Sequence, residues 1–296
     1  MIGVLIIRSN RLSMRLFLLA LIVLLVHGCA VAPPDADYPQ PVLGEAREAV
    51  SLGTRLFYLE RMSALAQAIY HSELRRSQVA EAESLDWAIS PIDQGGYVVA
   101  FIIDLDEGGY VDGEVFFAPG ADPDRCLRSG FDPADYTERC DGISVARVVR
   151  PASAAELVWA SAKRTMLGDP ELHLCTADSP AFTLIEEDQR TLGYVLSASS
   201  DPDVTVLAGH TRYQLSADGT QILSRLPLFQ DCLVVRKQNT ASTTAIIVNS
   251  LGWDLFNESH VYMTLERRLR VIVAGRLGHQ VALDRSGDSV SWRTLR

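Results

Sequence analysis

The chain reads as an α+β protein: an N-terminal amphipathic helix, then a mostly antiparallel β body of short strands and hairpins with one internal helix. Three observations predict this. Apolar residues recur at helical spacing over one early stretch, from about residue 43. From Asp86 onward the texture changes to short runs rich in valine, isoleucine and aromatic residues, separated by Gly, Asp and Pro turns. One strong helix-start signal lies between those runs, at Ser153-Ala154-Ala155-Glu156. With 296 residues, 48% of them hydrophobic, the chain can bury a sizeable core. Its 37 acidic against 27 basic residues leave a net charge of −10, which argues against a nucleic-acid partner, because phosphate binding needs a basic face.

The first element is a leader. Arg8, Arg11 and Arg15 form a basic start, and Leu16 to Val26 is an unbroken apolar run of eleven residues. Eleven helical residues rise only about 16 Å, against a bilayer core of roughly 30 Å, so the run is too short to span. It ends in Val26-His27-Gly28-Cys29. This order of basic region, apolar run and small residue before cysteine resembles the signal sequence of bacterial lipoproteins. The resemblance covers the leader alone, and His27 is an unusual occupant of its tolerant position. It implies cleavage of residues 1–28, a diacylglyceryl group on the Cys29 thiol and attachment to a membrane through lipid. With Ala30 and Val31 after the cysteine, the sorting rule of that class directs the protein to the periplasmic face of the outer membrane, the inner membrane being the alternative. Met14 is an alternative start. Cleavage would remove three of the 27 basic residues and none of the acids, so the net charge of −10 would become −13.

Residues 29–42 then read as the lipidated cysteine and a proline-rich tether. In the helical segment 43–85, Leu52, Leu56, Leu59, Met62, Ala66 and Ile69 make one stripe, and Gly53 interrupts it. The body, 86–296, opens with strand-like runs at Gly96–Ile103 and Gly113–Ala118, then Ser144–Val149. The capping box at Ser153 starts a helix to about Met166, stopped by Gly168. A break between two sub-lobes is expected near 168–180. Strand runs follow at 181–184, 192–196, 204–207, 210–215, 221–226, 232–235 and 245–248, with Ala217-Asp218-Gly219 as a hairpin turn. The last runs are 261–265, 269–273, 280–283 and 290–292.

Apart from Cys29, the chain holds Cys126, Cys140, Cys175 and Cys232, an even number in an exported protein. Three connectivities are open. Pairing sequence neighbours has the smallest loop-closure cost, which favours Cys126–Cys140 with Cys175–Cys232. No cysteines lie two to four residues apart, as zinc sites usually require.

The signatures of the commonest hydrolases and nucleotide enzymes are missing: no G-x-S-x-G, S-x-x-K, H-E-x-x-H or P-loop occurs. Weaker groupings remain. The acidic run Asp104 to Glu114 loosely has the oxygens of a calcium loop, but Gly108 and Val115 stand where ligands are needed. His210 and His260, both in strand-like contexts, could join Glu258 in a two-histidine, one-carboxylate metal site if their strands were adjacent. Ser144 or Ser250 with Asp254 and a histidine is a distant possibility for serine chemistry. Arg267-Arg268-Leu269-Arg270 falls in an expected hairpin turn, 264–271, and could meet an anionic partner. No catalytic residue and no cofactor is assigned. The expected function is that of a lipid-anchored, non-enzymatic envelope protein that binds or supports another envelope protein. The alternatives are an immunity protein that neutralises a periplasmic antibacterial effector, and a periplasmic hydrolase with a dispersed or metal site.

Overall fold

The computed structural model of the chain describes residues 39–74, 85–103, 108–128, 132, 136, 140–176, 178, 180–187, 189–199, 201, 204–229, 231–236, 245–250, 252–276 and 278–295. The leader, Cys29 and the tether as far as residue 38 lie outside the described residues.

The first helix, α1 (Gln40–Ile69), begins three residues earlier than the stripe alone indicates. Pro39 caps it and Pro41 sits in its first turn, where a missing N–H costs nothing. The expected stripe from Leu52 to Ile69 is buried throughout. A π-helical turn, Tyr70–Leu74, ends the element, and the Tyr70 hydroxyl donates to the buried Asp112 carboxylate at 2.8 Å.

Three sheets surround this helix. The first runs β1 (Asp86–Pro91), β2 (Tyr97–Ile103), β3 (Tyr110–Phe117) and β4 (Ile143–Ala146), with the two-residue β5 (Arg150–Pro151) also on β3. A short helix, α2 (Pro123–Arg128), lies between β3 and β4. Then comes α3 (Ala154–Leu167), whose Ser153–Glu156 capping box forms as expected. The second sheet has the order β10 (Ile222–Pro227), β9 (Thr211–Leu215), β7 (Arg190–Leu196), β6 (Ala181–Glu187). Beside it, β8 (Val204–Val206) pairs with β11 (Val234–Arg236). The third sheet is β12 (Ala245–Ser250), β13 (Arg270–Gly275), β14 (Gln280–Ser286), β15 (Ser289–Leu295). All these pairs are antiparallel except β12 with β13, which run parallel and are joined by a helix, α4 (Glu258–Arg267).

That helix corrects the expected strand at 261–265. Residues 258–265 are all buried, so α4 has no polar face, and alternation alone cannot separate such a helix from a buried strand. It also corrects the expected hairpin at 264–271: Arg267 ends the helix and Arg268 caps it in the left-handed region, φ 53°.

One cluster of buried apolar side chains joins residues on both sides of 168–180. Within it α1 packs closely against α4. A Cβ on Gly53 would come within 2.5 Å of both the Glu258 carbonyl and the Val261 Cβ. The glycine that weakens the helical pattern is what lets the two helices meet.

The disulfides are Cys126–Cys140 and Cys175–Cys232, with Cα atoms 5.6 and 5.3 Å apart, the neighbour pairing. The first holds α2 to β4. Asp124 of α2 in turn accepts from Arg128 at 2.6 Å and pairs with Arg268 at 2.9 Å and Arg285 at 3.4 Å. Burial works against ionisation of Asp124, but these arginines hold its carboxyl below the usual range.

Three stability outcomes follow from this arrangement. Gly53→Ala should lower the urea-unfolding free energy by about 1–2 kcal/mol, overpacking outweighing the gain in helix propensity. Gly44→Ala, where a Cβ meets nothing, should raise it by up to ~1 kcal/mol. Replacing both cysteines by alanine should cost about 3 kcal/mol for Cys126–Cys140 and about 4 kcal/mol for Cys175–Cys232, from loop sizes alone.

Candidate functional site

β1 and β6 are edge strands of the first and second sheets. At their starts they touch: the Trp87 and Phe182 rings lie 5.2 Å apart, and Trp159 of α3 lies 5.9 Å from Phe182. Lys163 closes this end, its ammonium 4.2 Å over the Trp87 ring and bonded to Asp86 at 2.5 Å. Further along, a cavity of about 800 Å³ opens between them. Ile89, Ser90 and Pro91 of β1 line it, as do Leu184, Ile185 and Glu186 of β6. α1 contributes Thr54, Arg55, Tyr58 and Leu59, and α3 contributes Ala155, Val158 and Trp159. Tyr97, Ala217 in the β9–β10 turn and Asp288 in the β14–β15 turn complete the lining.

The chemistry of this lining suits binding. It is mostly apolar, with a few polar groups, and its volume lies in the range of ligand sites. Arg55 donates to the Glu186 carbonyl at 3.0 Å and pairs with the Glu187 carboxylate at 3.8 Å. The Tyr58 hydroxyl donates to the Ala121 carbonyl. Burial, with Asp122 and Asp288 nearby, pushes its pKa up, so it stays a neutral donor. Among the described residues that line the cavity there is no histidine, cysteine or lysine to act as nucleophile or base. No sequence signal marked it, because its walls come from six separate parts of the chain.

The histidines singled out by sequence lie elsewhere, in a buried polar cluster where α4 meets the second sheet. His210 sits just before β9, and His260 is helical, not in a strand. Because Glu258 and His260 are two apart on a helix, they point in different directions. Asn257 caps α4: its side chain accepts from the Ser259 and His260 amides at 3.0 and 3.3 Å, and its own amide donates to His260 Nδ1 at 3.1 Å. Glu258 accepts from Arg212 at 2.8 Å and from Tyr194 at 3.3 Å. His210 Nδ1 and Ser259 Oγ are 2.6 Å apart. His260 Nε2 is buried with no partner among the described residues. Glu258 is thus committed to Arg212, and among the described residues no three His, Cys, Asp or Glu side chains are placed to hold a metal.

The other candidates are likewise occupied. Of the acidic run, 104–107 lie outside the described residues, Asp112 is bonded to Tyr70, and Glu114 is paired with Arg150 at 2.6 Å. Asp254 pairs with Arg276 at 2.6 Å. Ser144 lies on β4 and Ser250 ends β12. In the basic run, Arg267 pairs with Glu266, Arg268 with Asp124 and Arg270 with Asp284. Compared with known protein families, curated proteins and solved structures, the chain matches none.

Burial, more than any neighbouring charge, pushes both His210 and His260 down to about 3. Unfolded histidines titrate near 6.5, so between those values the unfolded chain binds more protons and stability falls as pH drops. Urea unfolding should lose on the order of 1.4 kcal/mol per pH unit for each histidine below pH 6, and His210→Asn should remove its share of that slope.

Proposed function

We propose that this chain is a lipid-anchored protein of the cell envelope that binds another envelope protein through the cavity between β1 and β6. The cavity is the observation that carries the binding half of the reading: a concave, largely apolar surface with a few polar groups at its rim. The anchoring half rests on the leader, whose order of basic region, apolar run and Val26-His27-Gly28-Cys29 resembles that of bacterial lipoproteins. Ten residues, 30–39, separate Cys29 from the start of α1. Fully extended they reach about 35 Å, enough to stand the body off a membrane surface while keeping α1 and the cavity near it. The absence of Asp after Cys29 favours the outer membrane, with the body on its periplasmic face.

Acidity also fits a protein partner. The net charge of −10 favours association with a basic surface over a phosphate-rich one. The described helices contain none long and apolar enough to cross a membrane, so in this reading the lipid supplies the attachment.

Cys29→Ser should shift the protein from the membrane pellet to the soluble periplasmic fraction, and metabolic labelling with a clickable fatty acid should mark the parent chain but not the variant. A photo-crosslinking residue at Ser90 should trap a protein partner in intact cells. Thr54→Trp, which fills the cavity, should reduce that yield at least about tenfold, the loss expected when a central contact site is blocked.

A further inference from the structure

We propose that the occupant of the cavity is an extended peptide segment of another protein, apolar at alternate residues and flanked by a basic one, which adds as a strand along β1 and β6. This rests on the reading of the chain as a protein-binding envelope component and names what it recognises.

The backbone of β1 carries the argument. Beyond the last β1–β2 pair, the Ile92 amide donates to the Gly96 carbonyl at 3.3 Å. Antiparallel bonding alternates strictly along a strand, so Asp86, Ala88 and Ser90 share that phase and bond to β2. Trp87 and Ile89 therefore turn their N–H and C=O groups away from β2, those of Trp87 at the end that Lys163 closes and those of Ile89 beside the cavity, and Pro91 adds a carbonyl with no N–H. On β6 the Glu186 carbonyl faces outward, where Arg55 donates to it. By the same period of two, the Leu184 backbone faces outward as well. Among the described residues β1 pairs only with β2, and β6 only with β7.

Folded proteins usually blunt an exposed edge with charge or proline. Here Asp86, bonded to Lys163, does so at the near end and Pro91 and Glu186–Glu187 at the far ends, while Trp87–Ile89 and Phe182–Ile185 between them stay uncharged. An incoming strand would place alternate side chains into the apolar lining, the mode by which extended peptides join a sheet edge. At the rim, the acids Glu186, Glu187 and Asp288 outnumber Arg55, which favours a basic flank on the partner.

The test uses the full mature chain carrying Cys29→Ser and a phage-displayed random octapeptide library as the probe. The expected result is enrichment of peptides with alternating apolar residues and a Lys or Arg at one end. N-methylation of the enriched peptide at one set of alternate amides should weaken binding at least tenfold, and at the intervening amides should not. Ile89→Pro, which removes an outward N–H from an edge position that tolerates proline, should weaken it about tenfold, while the same substitution at Leu223 of β10, outside the cavity lining, should leave it unchanged. No enrichment, or a peptide indifferent to N-methylation at every amide, overturns the proposal. In cells, a protein crosslink from Ser90 beside a peptide indifferent to N-methylation would refute strand docking and leave the cavity reading standing, whereas crosslinks from Leu223 on the exposed edge of β10 but none from Ser90 would remove the cavity as the site and leave only envelope binding. No protein crosslink from either position would remove both.

Discussion

The contact of α1 with α4 at Gly53 is the constraint from which the rest of the structure takes its arrangement. α1 touches all three sheets, and α4 connects the parallel strands of the third. With backbone and Val261 filling the space a side chain at Gly53 would need, the two axes lie as close as the chain allows. Every apolar residue of the early stripe then has a neighbour on the far side, and the core continues from the first sheet through α1 to the third.

Polar groups decide how α4 sits in that core. A helix buried on all sides has no amphipathic stripe to set its rotation, so specific bonds must do so. Asn257 caps its start and also donates to the Leu228 carbonyl at 2.9 Å, which ties the cap to the end of β10. Glu258 meets Arg212 and Tyr194, and Ser259 meets His210, so consecutive residues of the first turn each engage the second sheet. A buried ion pair contributes little net stability against an apolar equivalent, but breaking one leaves an uncompensated charge. Near the far end of the helix, Arg61 is shared between Glu60 and Glu266, and the Asp124 cluster joins α2 to β14. Burial raises the Glu60 carboxyl, with Glu266 adding to the effect and Arg61 opposing it.

The cavity is a by-product of this plan. Two sheets that both lean on α1 and α3 come together at Trp87 and Phe182, and beyond that contact their edge strands leave the cavity between them. The result is an apolar gap edged by strand backbone, a feature that soluble proteins usually cover. Its position against the same helix that leads back toward Cys29 links the binding reading to the anchoring one.

Local chemistry by itself determined much of this protein. The capping box at Ser153 and Glu156, the turn at Ala217-Asp218-Gly219, the stripe on α1 and the neighbour pairing of the cysteines all follow from interactions within a short span of chain. Each carries its own hydrogen bond, dihedral preference or loop entropy, so each is legible before folding. The helix at 258–267 was not, although Asn257 before Glu258 is a helix-start signal; Val261, Tyr262 and Thr264 favour strands, and burial on every side erased the helical period. The separation of His260 from a strand, the commitment of Glu258 to Arg212 and the parallel pairing of β12 with β13 depend on partners tens of residues away. The cavity belongs entirely to that second group. Its walls meet only because α1 and α3 bring two sheet edges side by side, and no stretch of sequence encodes the space between them.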